Sequence, residues 1–129
     1  MIELDALTIF FLEGDVVHAH FKDGRVGTQA DVEAMFDVIR KACKDRKVLL
    51  LVSVGAGASL TNEARAYASG EESNKLIAAD AIIVRDFGHQ MSANAFVRYN
   101  RPGRPAQLFP DKESALEWLA RQHHLIEPA

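Results

Sequence analysis

The sequence predicts an α/β domain: a mixed, mostly parallel sheet that begins with a β-hairpin and carries helices packed on it. Three observations predict it. Two short runs, Leu7–Leu12 (LTIFFL) and Val16–Phe21 (VVHAHF), flank Glu13-Gly14-Asp15, a turn signal, and so read as a hairpin. Two later runs, Val48–Val54 (VLLLVSV) and Ala81–Val84 (AIIV), are too apolar for a strand with one wet face and read as central strands under helices. The stretches between and after them place apolar residues at helical spacing, and strands alternating with helices imply parallel pairing.

In Val16–Phe21, Val17, Ala19 and Phe21 share one face while Val16, His18 and His20 share the other. Thr28-Gln29-Ala30-Asp31 fits a capping box, in which the threonine oxygen takes an orphan N–H and Asp31 reaches back. The helix it opens, Gln29 to Lys44, carries Val32, Met35, Phe36, Ile39, Ala42 and Cys43 on one stripe. Lys41, Lys44, Arg46 and Lys47 crowd its end, where the helix dipole favours cations. Gly55-Ala56-Gly57 ends the central strand. Thr61–Ser69 reads as a helix, with Ser59 or Thr61 as its cap, and a further short helix runs through Lys75 to Ala78. His89–Asn100 is helical by pattern, with Met91, Ala95, Phe96 and Tyr99 on one side. Ala106–Phe109 is a short last strand. Asp111 caps a final helix with Ala115, Leu116, Trp118 and Leu119 as its apolar content. The tail around Pro128 reads as frayed. A chain of 129 residues fits a single domain over residues 1–129, with an ordered core from about 5 to 122.

Composition narrows the function. Hydrophobic residues make up 48% of the chain, enough for a core. A formal net charge of -3 argues against nucleic-acid binding. One cysteine, Cys43, allows no internal disulfide and no cysteine-based zinc site, and it falls on an apolar stripe as an inert core residue. The acidic N-terminus does not read as a signal peptide, and no apolar run approaches the roughly 20 residues of a membrane span. The chain therefore reads as a soluble cytoplasmic protein without membrane insertion.

The motifs exclude more than they assign. The strand-to-helix stretch after Val54 has no lysine before Lys75, so it is not a P-loop. Leu60 stands where a dinucleotide fingerprint needs its third glycine. Gly57-Ala58-Ser59-Leu60-Thr61 lacks the closing glycine of a nucleophile elbow. What remains is a glycine turn capped by Ser59 or Thr61, or an anion site at the helix N-terminus. Asp86-Phe87-Gly88 is a kinase-like tripeptide without a kinase's other motifs. His18 and His20 have a spacing two metal ligands could use, but no further ligand is recognisable, so an exposed sheet face is expected, and no metal or cofactor. His123-His124 reads as solvated. Arg98, Arg101 and Arg104 form a candidate basic surface patch, while Arg65 and Arg85 are expected in ion pairs with Asp80, Asp86, Glu63 or Glu71. No catalytic set assembles from spacing.

The segments NEARAYASGEESNKLIAADAIIV, ANAFVRYNRPGRPAQLF and PDKESALEWL, within Val48–Leu119, resemble a group of small uncharacterised bacterial proteins. Their fold is the STAS fold of anti-sigma-factor antagonists, sometimes grouped as STAS/SEC14-like. The resemblance implies a STAS-like domain. In those antagonists a regulatory serine comes after an aspartate at the N-terminus of the helix after the central strand. The matching region here is Ala58-Ser59-Leu60-Thr61, which makes Ser59 and Thr61 the candidate anion or phospho-switch site, but no aspartate precedes Ser59, a departure that argues against a kinase-operated switch. The function this implies is a non-catalytic regulatory or protein-binding module acting through its helical surface, with a protein partner or as a homodimer. The alternative is a carrier that holds a small apolar or anionic ligand in a pocket under the helices. A buried cavity of a few hundred Å3 favours the carrier, and an exposed apolar helix face favours the module.

Overall fold

The structure, a computed structural model, describes residues 1–44, 46–100 and 102–126, without the side chains of Phe87 and Tyr99. Arg101 and the tail at Pro128 therefore lie outside the described residues. The elements are β1 (Ile2–Glu3), β2 (Leu7–Leu12), β3 (Val16–Phe21), β4 (Val26–Gly27), α1 (Gln29–Cys43), β5 (Val48–Val54), β6 (Ser59–Leu60), α2 (Asn62–Ala68), α3 (Glu71–Leu76), β7 (Ile77–Ile83), α4 (Phe87–Ala95), β8 (Ala106–Phe109) and α5 (Lys112–Arg121). A π-helical turn, Phe96–Asn100, extends α4, and a 3-10 turn, His123–Leu125, comes after α5.

Six strands form one sheet in the order β1-β2-β3-β5-β7-β8. The hairpin pairs antiparallel with Phe10 opposite His18, and every pairing from β3 to β8 is parallel. The predicted mixed sheet with a hairpin start is thus the observed one. The two-residue strands β1, β4 and β6 are additions; β4 and β6 form a small parallel ribbon of their own.

Parity along β5 divides the core. Leu49 and Leu51 point to one face, where Ala79 and Ala81 of β7 and Ala115 and Leu119 of α5 close over them. Leu50 points to the other, with Val17, Ala19 and Phe21 of β3 and with Val32, Met35, Phe36 and Ile39 of α1. The α1 stripe forms because Thr28 accepts from the Asp31 N–H and the Asp31 carboxylate accepts from the Thr28 N–H, the expected capping box. The stripe ends early: Ala42 is exposed and Cys43 half-buried. Burial pushes the Cys43 thiol above its usual range.

Strand β7 departs from the sequence reading. It begins at Ile77, so Ile77 and Ala78 belong to the strand and not to the preceding helix. Its register shifts between Val48 and Leu49, where Val48 opposes Ile77 and Leu49 opposes Ala79. That bulge adds one residue and inverts the parity of the rest of the strand. Ile77 packs on the α1 face, while Ala78 and Ala79 both pack on the α5 face. Asp80 is then carried back to the α1 face, opposite Leu50.

Candidate functional site

A cavity of about 390 Å3 opens on the α1 face of the sheet. Its floor is Leu50, Val52 and Val54 of β5 with Ile77 and Ile82 of β7. Val32, Met35 and Phe36 of α1 close one end; Ala93 of α4 and Phe96 close the other. Helix α1 packs directly on β3 and β5, with Phe36 and Ile39 fully buried. Val52 and Val54, half-buried, pack at the edge of the α1-face core and line the cavity that Ala93 of α4 also lines.

Polar side chains interrupt these apolar walls, chief among them the Asp80–Arg104 pair, Arg65 and His89. The deepest is Asp80, 2% exposed, whose Oδ2 accepts from Arg104 Nε at 2.7 Å. Arg104 also donates to Ser73 Oγ and Asn74 Oδ1, each at 2.8 Å, and to the Ala68 carbonyl at 2.9 Å. One guanidinium thus ties α2, α3 and β7 together from the loop before β8. Burial pushes the Asp80 carboxyl above the usual carboxylate range, against the pull of Arg104. Arg104, expected on a basic surface patch, is instead buried, with a side chain 5% exposed. An aspartate inside a buried strand needs a nearby cation, and only the fold shows that the cation comes from the loop before β8. Arg98 is exposed.

Arg65, on α2, is the second polar group. Its Nη1 donates to the Leu60 carbonyl at 2.7 Å and to Ser92 Oγ of α4 at 3.2 Å, and its Nη2 donates to Asn62 Oδ1. Neutral oxygens thus take the place of the expected acidic partner, because α2 turns Arg65 toward α4 and the rim of the cavity. The third is His89. Its Nε2 lies 3.0 Å from the Ala58 carbonyl, which requires a proton on Nε2. Its Nδ1 is buried without a hydrogen-bond partner, 3.7 Å from Asp86 Oδ2. Asp86 caps α4 by accepting from the His89 N–H at 2.9 Å.

The strand-to-helix stretch after Val54 forms the rim. Gly55 lies against the Asp23 backbone, and a Cβ there would meet the Asp23 nitrogen at 2.6 Å. Asp23 in turn accepts from the Ala56 N–H at 2.9 Å. Gly57 takes φ +72, a left-handed conformation that favours glycine. Thr61 caps α2, accepting from the Ala64 N–H at 3.0 Å. Ser59 is exposed in β6, where its N–H donates to the Arg25 carbonyl at 3.0 Å. Of the two candidate caps, Thr61 therefore holds the position, and Ser59 stands on the cavity's rim.

On the other face, His18 Nε2 and His20 Nδ1 both meet Ser53 Oγ, at 2.7 and 2.8 Å. Burial, Lys112 and His20 hold His18 down at about 4, so its ring is neutral at neutral pH. These rings are half-buried and partnered, not simply exposed as expected. Among the described residues no group of three or more His, Cys, Asp or Glu could hold a metal. His123, expected in solvent, lies 2.8 Å from Asp15 Oδ2, which Arg46 also meets at 2.9 Å. Of the residues expected together on one side of this helix, Phe96 is buried but Met91 is 58% exposed, Ala93 is buried as well, and the Tyr99 side chain lies outside the described residues. No helix among the described residues is long and apolar enough to cross a membrane.

Comparisons with known proteins place the fold. No curated protein matches the chain. A solved structure does: an uncharacterised protein of the DUF3478 family from Shewanella loihica PV-4, with a SpoIIAA-like fold. It shares 21% identity over 88% of this chain and 92% of its own, with a TM-score of 0.57. That likeness shows the fold, which is the STAS-like architecture implied by the sequence resemblance. A family model matches residues 10–123, and the chain belongs to that family, a domain of unknown function designated DUF7793.

Proposed function

We propose that this domain is a non-enzymatic carrier of a small, largely apolar ligand held between the sheet and helices α1, α2 and α4. The observation that carries this reading is the cavity of about 390 Å3, within the range of ligand pockets, with apolar walls and a few convergent polar groups. The rival reading, a module that docks a partner on an apolar helix face, has less support. Among the described residues the exposed large apolar side chains are Met1, Ile2, Phe11, Val26, Met91 and Leu125, spread over the N-terminus, β1, β2, β4, α4 and the 3-10 turn.

The test is native mass spectrometry of protein purified without detergent from its own cells, alongside an Ala93→Trp variant that fills the cavity. The expected result is a small-molecule adduct on the wild type that is absent from a folded Ala93→Trp protein. A bare protein mass, with no uptake of a neutral apolar dye such as N-phenyl-1-naphthylamine, would overturn the carrier reading.

A further inference from the structure

We propose that the pocket takes a small apolar carboxylic acid, with its carboxylate received by Arg65 at the rim. This inference rests on the carrier reading and adds the chemistry of the ligand's head.

The two arginines that line the cavity differ in charge balance. Arg104 is neutralised by Asp80 at 2.7 Å. Arg65 meets a carbonyl, a hydroxyl and an amide oxygen, all neutral, and no carboxylate among the described residues lies within ion-pair distance of it. Of its five N–H donors, Nε–H and one on Nη2 have no acceptor among the described residues. Asp86, a carboxylate at the same rim, is turned to cap α4. Arg65 is half-buried, so its missing counter-charge is not fully replaced by water.

A second rim atom is also unsatisfied. His89 Nδ1 is buried and makes no hydrogen bond, with Asp86 Oδ2 at 3.7 Å, and it lies on the same helix as Ser92 and one turn before it. Ser92 is the residue to which Arg65 reaches across the rim. A negatively charged head between α2 and α4 would supply the counter-charge that Arg65 lacks. A carboxylate fits better than a phosphate ester. There is one uncompensated guanidinium, which matches a planar monoanion, and among the described residues no second uncompensated arginine or lysine lines the cavity to offset a dianion. The body of the acid would lie over Leu50, Val52 and Val54.

The experiment compares 1-naphthylacetic acid with 1-naphthylacetamide, equal in shape and different in charge, by calorimetry on the full chain. The acid should bind at least about tenfold more tightly than the amide, the scale of one charge-assisted hydrogen-bonded contact. Arg65→Gln should bring the acid down to the amide's affinity and leave the amide unchanged. Arg65→Lys, which keeps the charge, should retain part of the difference even if Arg65→Gln fails to fold. Ala93→Phe should weaken both probes. Equal affinities in the wild type, or an acid preference that survives both Arg65→Gln and Ala93→Phe in folded protein, would overturn the carboxylate inference and leave the carrier reading standing. Binding of neither probe at millimolar concentration would overturn both.

Discussion

The two faces of strand β5 use the same apolar run to opposite ends. On the α5 face, Leu49 and Leu51 are fully buried under Ala115 and Leu119, and that half of the core is filled. On the α1 face, Leu50 is covered by α1, but Val52 and Val54 meet a cavity that α4 roofs without filling. VLLLVSV carries no mark of this difference. The distinction comes from the covering helices. Helix α5 lays small and large residues into the sheet, whereas Ala93 of α4 and Phe96 of the π-helical turn line the cavity. A dry filled face supplies stability, and a face left open supplies a site.

The strongest way to break this comparison is to place the same charge on each face. Leu51→Asp would bury an unpaired carboxylate among α5 side chains, at a cost of several kcal/mol, and should abolish folding. Val54→Asp, at a half-buried position that lines the cavity, should give a folded protein that has lost apolar ligand. Circular dichroism of the two variants checks this. A folded Leu51→Asp protein would mean that the α5 face is not the structural one.

Next in size is the buried ion pair that borders the cavity. Arg104→Met leaves Asp80 without its cation and should cost about 3–5 kcal/mol in chemical denaturation. Burial raises the folded-state pKa of Asp80, so the linked stability is present at low pH and falls as pH rises through that value. The Arg104→Met protein should therefore lose more stability at neutral pH than in mild acid. A loss equal at both would contradict this account of Asp80.

The α5 face has its own titrating corner. His18 is lowered from 6.5 to about 4, so the stability linked to its neutral ring is present above pH 6.5 and falls as pH drops toward 4. His18→Gln should flatten that part of the stability profile, measured by urea denaturation at stepped pH. An unchanged slope would show that the ring is not held neutral by its surroundings.

The smallest effect separates the two rim residues. Thr61→Ala should cost about 1 kcal/mol through the lost α2 cap, and Ser59→Ala should be near neutral. Equal thermal shifts would put the cap elsewhere.

These comparisons also mark how far the sequence reaches. The hairpin, the α1 capping box, the final helix and the central strand are legible, because each rests on local spacing or a local hydrogen bond. The start of β7 is not. EESNKLIAAD suits a helix by propensity, and pairing with β5 overrides it at Ile77. The β7 bulge that turns Asp80 toward the cavity arises from that same pairing. The polar groups of the site, Arg65, Asp80, His89 and Arg104, lie on four separate segments and converge only through the topology. One signal is present in the sequence: an aspartate inside IAADAIIV must find a cation, though nothing local says that Arg104, and not Arg65 or Arg85, supplies it.

The central claim is that alternate residues of one strand serve a filled core and an open site. Methyl NMR of the full chain, titrated with 1-naphthylacetic acid, tests it most directly. The methyl resonances of Leu50, Val52 and Val54 should shift with ligand, while those of Leu49 and Leu51 stay in place. Shifts of similar size on both sets, or shifts confined to Leu49 and Leu51, would contradict the claim.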